Sequence, residues 1–208
     1  DGKRICTASR INDKHPLHIV SAWVGENQAV LGQVKVNDKS NEITAIPMLL
    51  DILDIKEGVV TIDAMGTQTD IAAKIVGKDA DYVLAVKDNQ QTLRDDVSRT
   101  FEAELPFKTY EEEDFGHGRI EHRKYSFTDN LDRLLSLERW DGLAGLVKVE
   151  RTSIEKKTGK TTCDMRYFIT SLSDERKAFQ AVREHWGVES MHWQLDVLLG
   201  EDRSLKRA

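Results

Sequence analysis

The sequence predicts an α/β fold: a mixed sheet with helices on its faces and an antiparallel β region inserted before the last helix. Three features predict it. First, "LHIVSAWV" (17–24) and "AVLGQVKV" (29–36) are β-favouring runs on either side of the turn-like "GENQ", which reads as an antiparallel hairpin. Second, the short apolar runs "GVVTIDAMG" and "DYVLAVK" flank the helical stretch "TQTDIAAKIVGK". That alternation gives parallel neighbours joined by a crossover. Third, from 107 to 170 the texture turns polar and strand-like, with "KKTGK" as a hairpin turn.

In chain order, "SNEITAIPMLLDIL" follows the first hairpin as a helix. Ser40 or Asn41 can cap it, and Ile43, Ile46, Leu49, Leu50 and Leu53 form its apolar stripe. Pro47 belongs in its first turn or marks a kink. "GVVTIDAMG" is a buried central strand ending at Asp63. The next helix stops near Gly77, and 81–87 is a second buried strand. "NQQTLRDDVSRTFEAE" is a charged helix. After the β region the helical period returns in "DERKAFQAVREHWGVESMHWQLDVLLG", capped by Ser173 or Asp174. The expected division is 1–106 for the first part of a core, 107–172 for the β-rich insertion and 173–208 for the helix that completes the core.

The chain has 208 residues, 39% hydrophobic and 32% charged, which suits one substantial globular domain. Its apolar runs are too short to span a bilayer, and no apolar stretch follows the first basic residues as in a signal peptide. Cys6 and Cys163 are far apart and read as free thiols in a reducing compartment. The chain opens at Asp1 without a methionine and reads as a fragment of a longer protein. A net charge of −6 argues against a surface devoted wholly to nucleic acid. It allows a carboxylate-lined core with a local basic patch.

Several residues are candidates for chemistry. At about 100° per residue, His185, Glu189, His192 and Asp196 fall on one helix face. Three readings are open: a nitrogen-rich metal site, an oxygen-ligand site, or the wet side of an amphipathic helix. Glu189-x-x-His192 has di-iron bundle spacing, but no second such helix occurs, and the zinc-hydrolase pattern His-Glu-x-x-His is also absent. Glu189 lies beside Trp186 and Trp193, and a partly desolvated carboxylate needs a partner or a metal. Asp63 ends an apolar strand, where open α/β sheets place active sites; the plainer reading is a helix cap. Lys87, Asn89 and Gln90 in "KDNQ" can approach phosphates or bases, or simply start a helix. In "GHGRIEHR" the glycines permit a tight hairpin tip. The stretch carries His117, Arg119, His122 and Arg123 as DNA-contact candidates; the arginines can clamp phosphates, and a cross-strand Glu121–Arg pair is the plainer alternative.

The blocks "DGK", "KSNEITAIPMLL", "TIDAMGTQ", "DYVLAVKDNQ", "HGRIEHRKY" and "HWGVESMHWQLDVLLGEDRS" resemble, in order, those of DDE transposases. The branch is the insertion-sequence group that includes the H-repeat-associated proteins. The resemblance implies a ribonuclease H-like core with a β-rich insertion. It also implies a catalytic, metal-binding triad of Asp1, Asp63 and Glu189 holding two Mg2+ or Mn2+ ions. The implied activity is cleavage and transfer of DNA strands at insertion-element ends, by a homodimer in the synaptic complex, in a bacterial cytoplasm. A domesticated DNA-binding descendant, or a nuclease outside transposition, would carry the same blocks. Two ions about 3.5–4 Å apart can activate the nucleophile and neutralise the leaving 3′-oxygen. Larger relatives carry an Arg four residues before the catalytic Glu and a Lys seven after it. Here those positions are His185 and Asp196, which with His192 become phosphate-contacting or ligand-orienting candidates.

Overall fold

A computed structural model describes residues 2–5, 17–24, 29–36, 42–103, 106–116 and 118–186. Strands β1 (Gly2–Ile5), β2 (Leu17–Val24) and β3 (Ala29–Val36) form an antiparallel three-stranded sheet in that order. The expected hairpin is therefore present, with a register shift at Ala22/Trp23. Helix α1 (Glu42–Ile52) buries Ala45, Ile46, Leu49 and Leu50 against it. Pro47 lies in the second turn of α1 rather than the first. Its missing N–H deprives the Ile43 carbonyl of a helical donor. The expected caps Ser40 and Asn41 lie outside the described residues.

The second sheet has six strands. β4 (Val59–Ile62) and β5 (Asp81–Val86) are parallel, joined by α2 (Thr69–Val76), which ends at Gly77. Helix α3 (Gln91–Glu102) follows. The polar region then forms β6 (Lys108–Gly116), β7 (Arg119–Thr128), β8 (Gly145–Glu155) and β9 (Thr161–Thr170), all antiparallel. Spatial order is β4-β5-β9-β8-β7-β6. The β-rich region thus continues the core sheet through β9, which pairs with β5 from Val83↔Thr170 to Val86↔Tyr167. The turns are where glycine requires them: Gly118 and Gly159 have φ of +75° and +70°.

Helices cover both faces. Tyr82, Leu84 and Val86 of β5 point into one core with α1, α2 and α3. Val83 and Ala85 point into a second core with Ala178, Phe179, Ala181 and Val182 of α4 (Glu175–His185). A strand apolar on both sides is buried on both sides, which is why β5 reads as a continuous hydrophobic run. Asp174 caps α4: its carboxylate accepts from Arg176 N–H at 2.8 Å and Lys177 N–H at 3.2 Å. The Lys177 and Arg176 backbone hydrogen bonds hold its pKa below the usual value. Among the described residues no helix is long and apolar enough to cross a membrane.

The geometry has one consequence for function. β5 ends at Val86, opposite Tyr167 of β9, so residues 161–166 of β9 run on past that end. With β6, β7 and β8 they make a wall projecting roughly 20 Å beyond the carboxyl end of β5.

Candidate active site

Asp63 follows β4 directly, at the carboxyl end of the parallel pair. This is the end where parallel sheets gather their ligands, because loops leave there and no strand fills the space. Its extended backbone (φ −70°, ψ 173°) starts a short 3-10 turn, Ala64–Gly66. One carboxylate oxygen accepts a long hydrogen bond from Gly66 N–H at 3.4 Å. Among the described residues no cation pairs with the half-buried carboxylate.

The turn is packed to its limit. A Cβ on Gly66 would lie 2.4 Å from Ile62 Cγ2 and 2.6 Å from Ile46 Cδ1. Gly66→Ala must therefore displace two core isoleucines. It is expected to cost about 1–3 kcal/mol, read as a lower urea midpoint with unchanged slope.

Asp63 opens onto a cleft of about 490 Å3 that also takes in Lys87, Arg94, Arg166, His185 and Trp186. Three of the residues picked out in the sequence, Asp63, Lys87 and His185, are thus brought together. Lys87 precedes the 3-10 turn Asp88–Gln90, is exposed, and has no ion pair among the described residues. His185, in the last turn of α4, has Nδ1 3.0 Å from Thr61 Oγ1 of β4. That contact ties the end of α4 to the strand that ends at Asp63. Arg94 is paired with Asp88 at 2.9 Å and Arg166 with Asp164 at 2.8 Å.

Asn89 and Gln90 do not face the cleft as free amides. Asn89 Nδ2 donates to the Ala64 carbonyl at 2.6 Å, and Gln90 Nε2 to the Thr67 carbonyl at 3.0 Å. Arg119 is exposed at the β6–β7 hairpin end. Arg123 sits on the wall in an ion-pair cluster. It pairs with Glu112 at 3.6 Å and with Glu121, which also binds Arg151. Arg123 and Arg151 stand directly opposite on β7 and β8, and like charges so placed repel. Glu121 bridges them. Arg123 and Arg166 both approach the Trp186 ring, at 5.5 and 5.3 Å from its centroid. Asp1, His117, Glu189, His192 and Asp196 lie outside the described residues.

Sequence reasoning passed over Thr67, Glu112, Arg151 and Arg166. Arg166 had a signal: it alternates with Phe168, so it shares the face toward α4. Thr67 had little, being one small polar residue in a polar turn.

Among the described residues no three metal-ligating side chains converge. Asp63 offers one half-buried oxygen donor of the kind a hard divalent cation takes, with no ion pair among the described residues.

Residues 2–208 match the family described as "Transposase DDE domain". The chain belongs to the DDE transposase family. Among its relatives, "Putative transposase YncI" of Escherichia coli O157:H7 is 44% identical over 204 residues, 92% of this chain and 51% of that protein. "H repeat-associated putative transposase YhhI" of Escherichia coli K12 is 41% identical over 201 residues, 89% of this chain and 52% of that protein. "Putative protein YbfL" of the same strain has the same identity over the same span. This transposase domain spans about half the length of these relatives. The H-repeat-associated branch indicated by the sequence blocks is among them.

Proposed function

We propose that this transposase domain cleaves DNA strands at insertion-element ends and joins them to target DNA. The observation that carries the proposal is the Asp63 carboxylate at the carboxyl end of β4, which has no ion pair among the described residues. It opens into a cleft with Lys87 and His185.

In this reading the fold is ribonuclease H-like. The antiparallel β1–β3 sheet, the parallel β4–β5 pair and helices on both faces support it. Residues 107–172 are the insertion, and 173–208 complete the core. Asp1, Asp63 and Glu189 would hold the two divalent cations. Glu189 follows His185 by four residues, the interval of about one helical turn. Mg2+ or Mn2+, when bound, supplies Lewis-acid charge at the scissile phosphate.

The protein's own groups do the rest. Asp63 supplies negative charge at a fixed strand end. Lys87 neutralises a phosphate next to it. Thr61 fixes the orientation of the His185 ring, which faces the same cleft. The projecting wall confines the strand on one side, with Arg119 and Arg123 placed along β7. DNA is the partner, and a homodimer in the paired-end complex is the acting form, in the bacterial cytoplasm.

The test assays full-length protein on element-end DNA, with nicking and strand transfer measured separately. Both activities are expected with Mg2+ and neither with EDTA. Nicking without transfer would make it a nuclease outside transposition. DNA binding without either would make it a non-cutting descendant.

A further inference from the structure

Two polar blocks that are far apart in the sequence meet in the structure. "TIDAMGTQ" makes the Asp63 loop, and "KDNQ" makes the turn after β5. Two side chains join them, and a third ties the loop to β5. Asn89 donates to the Ala64 carbonyl at 2.6 Å, and Gln90 donates to the Thr67 carbonyl at 3.0 Å. Thr67 is fully buried, with its hydroxyl 2.6 Å from the Ala85 carbonyl of β5 and 3.2 Å from the Asp63 carbonyl. A hydroxyl has one proton, and the shorter contact with Ala85 takes it. The loop is therefore tied to β5 at Thr67 and to the turn after β5 at Ala64 and Thr67. Within the turn itself, Gly66 N–H donates to Asp63 O at 3.1 Å, Thr67 N–H to Ala64 O at 3.4 Å and Gln68 Nε2 to Met65 O at 3.3 Å. Close packing of Gly66 against Ile62 and Ile46 fills the space behind the turn, and the three side-chain bonds add direction to it.

Asn89 and Gln90 follow the exposed, cleft-lining Lys87 in the chain, but neither lines the cleft. Meeting DNA would require them to give up bonds to backbone carbonyls and leave those acceptors unpaired. We infer that Thr67, Asn89 and Gln90 are positioning residues, which hold the Asp63 loop so that its carboxylate is presented to a divalent cation. The inference rests on the proposed DDE reading of Asp63. It assigns Asn89 and Gln90 a task other than contact with DNA.

The test titrates Mn2+ into full-length protein, followed by electron paramagnetic resonance, and measures element-end DNA binding separately in EDTA. Asn89→Ala and Thr67→Val are expected to weaken Mn2+ binding about tenfold or more, as substitutions behind a metal ligand do. Thr67→Ser keeps the donor and is expected to restore parental affinity. DNA binding in EDTA stays unchanged in all three. Urea unfolding of each variant separates a loss of stability from a loss of Mn2+ affinity. Asp63→Asn separates the two levels of the proposal. If it removes Mn2+ binding while Asn89→Ala and Thr67→Val bind as the parent does, the positioning role is overturned and the DDE reading stands. If Asp63→Asn itself leaves Mn2+ binding intact, the DDE reading falls and the positioning role falls with it. If Asn89→Ala weakens DNA binding in EDTA at unchanged Mn2+ affinity, Asn89 is a DNA contact and the inference is wrong.

Discussion

Asp63→Asn in the full-length transposase is expected to reduce Mg2+-dependent nicking of element-end DNA by about 10^3-fold or more. Lewis-acid charge at a phosphoryl centre contributes several kcal/mol to the transition state, and each ~1.4 kcal/mol is tenfold in rate. The substitution is close to isosteric. An amide oxygen can still accept the long Gly66 N–H bond, so the loop keeps its shape and only the charge is lost. The melting temperature and DNA affinity in EDTA should therefore match the parent. A variant that nicks at the parental rate would show that Asp63 is only the cap of its 3-10 turn.

The second large effect is on stability. Glu112→Ala is expected to lower the unfolding free energy by about 3 kcal/mol, because it strips a nearly buried carboxylate from its partners. The Glu112 side chain is 8% exposed and Arg123 15%. Glu112 accepts from the buried Tyr125 hydroxyl at 2.8 Å and pairs with Arg123 and Arg183. Its loss leaves the Tyr125 hydroxyl without an acceptor and Arg123 with Glu121 alone. Arg183 is 61% exposed, so its share is at the surface scale of about 0–1 kcal/mol. For a chain of this size the change corresponds to roughly 6–12 °C in melting temperature. Glu112→Gln can still accept from Tyr125 and should cost about half as much. Equal losses for Ala and Gln would mean that charge, not the hydroxyl acceptor, dominates the cluster.

Local chemistry made much of this fold readable. The run ending at Lys87 became β5, buried on both faces. The run ending at Asp63 became β4 of the parallel pair, but among the described residues it stands at the edge of the six-stranded sheet with Val59 exposed, not as the buried central strand expected. "KKTGK" turned where Gly159 could take a positive φ, and Asp174 capped α4. The strand-end position of Asp63 was legible from the apolar run before it, and so was its plainer reading as a cap, which it also fills at the 3-10 turn. What was not legible depends on distant pairing. Nothing near Tyr167 in sequence says that it will stand opposite Val86 and carry the insertion onto the core sheet. "YEEEDF" read as an acidic run. In β6 it alternates, placing Glu112 under Tyr125 and Arg123 while Glu111 and Glu113 stay exposed. Asn89 and Gln90 looked like free polar groups in a turn, and only the meeting of two loops gives their amides a direction. Of the expected triad, Asp63 alone lies within the described residues.

Manganese in a crystal of the full-length protein tests the central claim most directly. Anomalous density is predicted at Asp63, between it and the carboxylates of Asp1 and Glu189. Density confined to the His185 and His192 imidazoles, or none at Asp63, would contradict the assignment.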